Sequence, residues 1–178
     1  VQSWLPRTYP GTSAAVMGLF SGLHTKVAVY MLYRLYVQLF GLDQRWNVLI
    51  IVIMIISMMI GAFGGLAENS IRRVLGYQML NGMPFILVML AFTSDDPRRA
   101  LAAGIMYTIH HMLTVGSLIL ASGAIEETYG TGLLTKLSGL ARRDPIIAWI
   151  FAAGAFSVVG FPPFSGMWGK LMIVFEIA

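Results

Sequence analysis

Three short stretches place basic side chains where an apolar chain has little reason to keep them. Lys26 sits in "GLHTKVAVYMLY", His110 and His111 in "YTIHHML", and Lys170 closes "GFPPFSGMWGK". Ammonium and imidazole take up and release protons, and each of these groups lies in an otherwise apolar run. A charged side chain at mid-bilayer costs about 2.5–3.5 kcal/mol on insertion scales. Desolvation disfavours the charged ammonium, so a buried lysine can exchange its proton near neutral pH. Histidine titrates between pH 5 and 8, which suits a relay. No carboxylate or aromatic cage accompanies the set, so it resembles stations for a proton more than a ligand pocket.

Each position also has a plainer reading. Lys26 would snorkel, but a lysine stem covers only a few of the roughly 15 Å to the interface. An ion pair with an acid elsewhere is the stronger structural alternative. His24 is two residues from Lys26, about 200° round a helix, and is not expected to be its direct partner. His110 and His111 project about 100° apart, so one faces a polar interior while the other packs or bonds to a neighbouring helix. Structural hydrogen bonding is one alternative for them and metal or haem ligation another, but HExxH is absent and no carboxylate is near. Glu176 is given no role.

Pro162 and Pro163 remove backbone donors and clash with the preceding turn, so the helix opens at Gly160, Pro162 and Pro163. Carbonyls freed inside a membrane must be satisfied by protein or water, which predicts a hydrated cavity at the break. Lys170 follows two turns later. The plainer alternative is a packing kink beside an interfacial lysine.

Composition says what must position these groups. Of 178 residues, 57% are hydrophobic and 11% charged, and the mean hydropathy is +0.76. Soluble domains carry about 25% charged residues. The chain has no cysteine, which excludes a disulfide framework and Cys-ligated metal sites. The net charge of +4 sits mainly in short loops, which favours membrane topology over nucleic-acid binding.

An all-α polytopic membrane protein of about five transmembrane helices is therefore expected. The first segment runs about Ser13–Tyr33, roughly 31 Å at 1.5 Å per residue. The second covers Trp46–Ala67. The third, Val74–Thr93, carries Asn81, Gly82 and Pro84, a kink that a bundled membrane helix tolerates. The fourth, Ala100–Gly123, has no charged residue. "AIEETYGTGLLTKLSGLARRD" then reads as an amphipathic connection along the membrane surface. The last segment, Pro145–Ala178, is divided at Gly160–Pro163 into halves too short to span alone, hence one discontinuous span. "VQSWLPRTYPGT" reads as a loop entered midway, so the chain is expected to be a piece of a longer protein. Arg7, Arg72, Arg73, Lys136, Arg142 and Arg143 share one side, against Arg45, Arg98 and Arg99 on the other, with Arg34 near that end of the first helix. The excess places the first side, and residue 1, in the cytoplasm.

"WLPRTYP", "GLHTKVAVYMLYR", "SIRRVLGYQ", "IHHML", "KLSGLARRDP" and "GFPPFSGMWGK" occur in the order found in the proton-translocating antiporter-like family. That family holds Mrp-type Na⁺/H⁺ antiporter subunits and the membrane-arm antiporter-like subunits of complex I. The chain resembles most the D subunits of the Mrp group, over nearly its whole length. The resemblance implies helices eight to twelve of about fourteen in one antiporter-like domain. Lys26 then falls on the lysine of the eighth helix, His110 on the mid-chain histidine, and Lys170 on the ionisable residue of the broken twelfth. Departures are Gly82 where many members carry His or Gln, Val115 where a lysine is often found, and His24 in place of an apolar residue. Gly82 is read as leaving an empty or water-filled relay position. The family's glutamate on the fifth helix and lysine on the seventh are not in this sequence, so the piece cannot be a complete half-channel.

The function expected is a proton-translocating subunit of a multisubunit Na⁺/H⁺ antiporter in a bacterial inner membrane, with Lys26, His110, His111 and Lys170 as proton-transfer sites. Its partners would be other subunits of the complex, lipid, protons and monovalent cations, with no cofactor and no nucleic acid. It is read as a transporter subunit and not itself an enzyme. The alternatives are a proton-pumping subunit of complex I or a related membrane hydrogenase, a non-conducting scaffold, and an intramembrane enzyme or haem protein.

Overall fold

Long uncharged runs leave a backbone in lipid one economical solution, the α-helix, because every N–H and C=O must find a partner within its own segment. The computed structural model describes residues 4–178. Among them the pairing outside helices is one isolated antiparallel bridge, Ser70 to Leu133. The expected cytoplasmic placement of Val1 lies outside the described residues.

The opening segment differs from a loop. From Trp4 onward it forms a short helix, α1 (Leu5–Thr8), and a 3-10 turn over Tyr9–Gly11. Leu5, Pro6 and Tyr9 are buried, so this segment packs onto the bundle. Ser13 caps the next helix, accepting from the Val16 amide at 3.3 Å. That helix, α2 (Ala14–Leu19), passes through a π-turn at Phe20–His24 into α3 (Thr25–Gln38).

The helical run Ala14–Gln38 is 25 residues long, about 38 Å. It continues past the expected end at Tyr33 because Arg34 does not oppose the helix. Its guanidinium lies over the Tyr30 ring, 6.0 Å from the centroid, on the outer face. Lys26 is thereby placed midway between the two ends of the run.

A 3-10 turn at Gln44–Trp46, started by the Asp43 carboxylate accepting from the Arg45 amide at 3.0 Å, leads into α4 (Asn47–Leu66). Next comes α5 (Ile71–Leu87), which begins before Val74, so Arg72 and Arg73 belong to its first turn. Pro84 lies within it without ending it. The helix tightens to 3-10 geometry only at Val88–Ala91. Leu75, Met79, Leu80, Met83, Ile86 and Leu87 make α5 the buried spine of the bundle. α4 lies hard against it, and a Cβ added at Gly61 would come within 2.7 Å of the Asn81 backbone nitrogen. Small residues permit such close approach in membranes.

Asp96 caps α6 (Pro97–Tyr129), accepting from the amides of Arg98 and Arg99 at 3.0 and 3.3 Å. At 33 residues it is about 50 Å long and runs past the expected end at Gly123. "AIEETY" is therefore helix and not surface connection. The reason is Glu126, whose carboxylate accepts from Arg72 Nε at 2.9 Å and lies 2.8 Å from Nη2. Arg72 also donates to the Thr12 carbonyl. One forked guanidinium thus ties α5, α6 and the opening segment together. Gly130, at φ 68, ends the helix in the left-handed conformation.

Within the rest of the connection, α7 (Leu140–Arg143) is a single turn. Its leucines divide, with Leu137 and Leu140 against the bundle and Leu133 and Leu134 exposed. The final pair is α8 (Pro145–Val159) and α9 (Ser165–Ile177), of 15 and 13 residues, about 22 and 20 Å. Neither crosses a hydrocarbon core of about 30 Å. Between them Gly160 stands at φ 87, which favours glycine.

Four helical runs, 14–38, 44–66, 71–91 and 97–129, are long and apolar enough to span, and the broken pair makes the fifth. The expected all-α polytopic architecture with a discontinuous last span is what the structure shows. Two apolar clusters fill it. One holds Val29, Tyr33, Met83, Ile86, Tyr107 and Ile173; the other holds Met17, Leu75, Met79, Val115 and Ile119. Along the helices the basic groups fall between them, with Lys26 between Met17 and Val29 and the histidines between Tyr107 and Val115.

Candidate functional site

Lys26 is 5% exposed. Its Nζ donates to the Ser21 carbonyl at 2.7 Å and to Thr25 Oγ1 at 3.2 Å. Thr25 Oγ1 in turn donates to the same carbonyl at 3.0 Å. The π-turn one step before Lys26 supplies this arrangement, since a locally widened helix turns backbone groups toward side chains. Among the described residues the ion pairs are Arg45–Asp43, Arg72–Glu126, Arg73–Glu68 and Arg99–Asp96, and all belong to the helix ends or the loops beside them. The ion-pair alternative for Lys26 has no partner in this set. His24 faces elsewhere, with Nδ1 3.4 Å from the Tyr9 hydroxyl and its ring edge-on to Phe20.

His111 is 2% exposed, and among the described residues neither ring nitrogen meets hydrogen-bond geometry, the Gln78 backbone being the polar group beside it. The ring occupies the space that Gly82 leaves on α5, where any Cβ would collide with it. The expectation of an empty or water-filled position at Gly82 is thus corrected. An imidazole carried by α6 fills it, and the missing side chain on α5 is what lets the ring in.

His110 has a different environment. Nδ1 lies 3.1 Å from Ser165 Oγ and 3.2 Å from Thr114 Oγ1, and Ser165 Oγ lies 3.1 Å from Ser157 Oγ. The Tyr107 ring stands beside both histidines, with centroids 5.7 and 6.0 Å away.

Lys170 is half-buried. Its stem passes Gly160, whose added Cβ would sit 3.0 Å from Lys170 Cδ. Nζ donates to the Val159 carbonyl at 2.8 Å and lies 5.4 Å from the Phe85 ring centroid. The expectation that protein or water must satisfy the freed carbonyls finds a specific form here. A carbonyl released by the break is satisfied by the ammonium two turns beyond it.

The four basic residues thus lie on three neighbouring elements, Lys26 on α3, His110 and His111 on α6 and Lys170 on α9. Among the described residues no three histidine or carboxylate side chains converge as metal ligands would. A cavity of about 160 Å³, lined in part by Tyr9, His24, Thr25 and Met83, reaches Thr25, the hydroxyl that holds Lys26. Sequence reasoning missed Ser21, Thr25, Thr114 and Ser157, and read Ser165 only as a small residue that makes room at the break. Thr114 sits one turn from His110 and the two serines flank the double proline, and this spacing was the available signal.

A helical bundle with four spanning runs, a broken fifth and basic groups inside apolar helices is a polytopic membrane protein. Residues 1–178 match the family described as NADH:quinone oxidoreductase/Mrp antiporter, TM, and the chain belongs to that family. It is 33% identical to the D subunit of the Na⁺/H⁺ antiporter of Alkalihalophilus pseudofirmus, over 96% of this chain and 34% of that protein. It is 32% identical to the N subunit of the NADH-quinone oxidoreductase of Hirschia baltica, over 98% of this chain and 36% of that protein. Its fold matches a chain in the structure of the Mrp complex from Dietzia sp. DQ12-45-1b, with TM-score 0.92 and 42% identity over 97% of this chain and 32% of that one. The chain spans about a third of the length of these relatives.

Proposed function

We propose that this chain is the central part of a proton-translocating subunit of a multisubunit Na⁺/H⁺ antiporter. Lys26, His111, His110 and Lys170 would exchange protons across its middle, and Gly160, Pro162 and Pro163 would open the last span beside Lys170. The observation that carries the reading is Lys26, a buried ammonium at mid-helix held by one carbonyl and one hydroxyl and, among the described residues, by no carboxylate. A structural cation would be expected to sit against an anion, because an unpaired buried charge is costly. The segment would correspond to helices eight to twelve of an antiporter-like domain in a bacterial inner membrane. The end bearing Arg7, Arg72, Arg73 and Lys136 would be cytoplasmic, and other subunits would supply the rest of the complex.

Similarity to the N subunit of an NADH-quinone oxidoreductase favours a second reading, a proton-pumping component of a redox-driven complex. Copurifying quinone-reducing partners would select it.

Cation/proton exchange in vesicles holding the complete complex tests the proposal. Lys170→Ala is expected to abolish exchange while the complex still assembles. Full exchange per assembled complex would refute the relay and leave a scaffold role.

A further inference from the structure

The hydroxyl cluster at the break is used by none of the steps above. Ser157 near the end of α8 and Ser165 at the start of α9 meet across the interruption, their Oγ atoms 3.1 Å apart. Ser157 is 6% exposed. Ser165 Oγ and Thr114 Oγ1 both address His110 Nδ1. The other ring nitrogen, Nε2, turns toward Gly166, where an added Cβ would lie 3.0 Å from it. The two nitrogens of one imidazole thus differ: Nδ1 is wrapped in hydroxyls, while Nε2 faces side-chain-free backbone on the helix that carries Lys170. The ionisable groups around this ring are Lys170 on α9, Tyr107 and His111 on α6, and none from α8. Among the described residues no carboxylate orients it, although a carboxylate or carbonyl commonly fixes the tautomer of a working histidine.

We infer that Ser165, itself held by Ser157, is the positioning residue of His110, accepting a hydrogen bond from Nδ1–H and leaving Nε2 as the nitrogen that takes up and releases the proton. The inference rests on the relay reading above and narrows it to one atom. An incoming proton forms an N–H bond at the Nε2 lone pair, and the same bond breaks on release. The Nδ1 proton stays in its bond to Ser165, whose own hydroxyl donates to Ser157, so no hydroxyl proton is transferred. A neutral orienting group matters for turnover. A carboxylate would favour the charged ring and slow release, whereas a hydroxyl fixes the ring without holding the proton.

The test uses the complete complex in vesicles, with exchange normalised to assembled complex. Ser165→Ala removes the hydroxyl that fixes the ring from α9 and leaves Nδ1 only Thr114 Oγ1, on the ring's own helix, so the ring turns more freely and exchange is expected to fall about tenfold or more. Ser165→Thr keeps the hydroxyl and is expected to stay within about threefold of the wild type. Ser165→Cys keeps the volume but has only a weak donor and acceptor, so it falls with Ser165→Ala and covers the case in which the alanine variant does not assemble. Ser157→Ala gives a smaller loss, and the double variant is no worse than Ser165→Ala alone. Wild-type exchange by the alanine or cysteine variant while Lys170→Ala is inactive would overturn the assignment and leave the relay standing. A threonine variant that assembles but is as impaired as the alanine variant would also overturn it. Were Lys170→Ala active as well, the relay would fall and this assignment with it.

Discussion

His110 and His111 are adjacent in sequence and live in different chemical worlds. His110 looks toward the broken span, with two hydroxyls on one ring nitrogen and a third hydroxyl behind them. His111 looks toward α5, locked against Gly82, with neither nitrogen in hydrogen-bond geometry among the described residues. The 100° between neighbouring helical residues is enough to send one imidazole into a polar seam and the other into a fitted apolar slot. One imidazole is held by hydrogen bonds, the other by shape, and their substitutions should therefore fail differently.

The largest effect is expected from filling the slot. Gly82→Leu drives the His111 ring out of its place, and overpacking a core costs about 1–3 kcal/mol. Exchange should fall at least tenfold, and the melting temperature of the purified complex should drop with it. An active, stable Gly82→Leu complex would show that the slot is loose.

His111→Leu separates shape from chemistry. Replacing an unpartnered buried polar group by an apolar one of similar volume is nearly neutral or stabilising. Thermal stability should hold or rise while exchange falls. His110→Leu should instead lose stability by about 1 kcal/mol, because it strips Ser165 and Thr114 of a partner. Equal stability changes in the two variants would erase the distinction between them.

A smaller effect is expected far from the four basic residues. Glu126→Gln weakens the fork with Arg72 that closes one end of α5, α6 and the opening segment. A charge-assisted hydrogen bond is worth about 1.5–3 kcal/mol, and this partly buried pair should lie at or below the low end. Exchange per assembled complex should not change. The exposed Arg45–Asp43 contact, at 4.0 Å, should give no measurable stability change on Arg45→Ala.

How much of this could be read in advance follows from the same contrast. Charges in apolar runs are anomalies that composition exposes, so Lys26, Lys170 and the paired histidines stood out. The double proline announced the break by removing donors. Helix ends were less legible: Arg34 and Glu126 look like terminators in a hydropathy pattern. One instead lies over Tyr30, and the other is bound by an arginine 54 positions away. The hydroxyl partners were illegible because serine and threonine are ordinary in membrane helices, and only the fold brings Ser165 to His110. Gly82 misled for a related reason. A glycine in a sequence reads as space, and which neighbour fills that space is a tertiary fact.

The central claim is that Lys26, on α3, exchanges a proton with the histidines of α6. Cation-driven proton movement in vesicles containing the whole complex, comparing Lys26→Ala with the wild type at equal assembly, tests it most directly. The account predicts movement at the level of empty vesicles. An alanine variant working at the wild-type rate would contradict it.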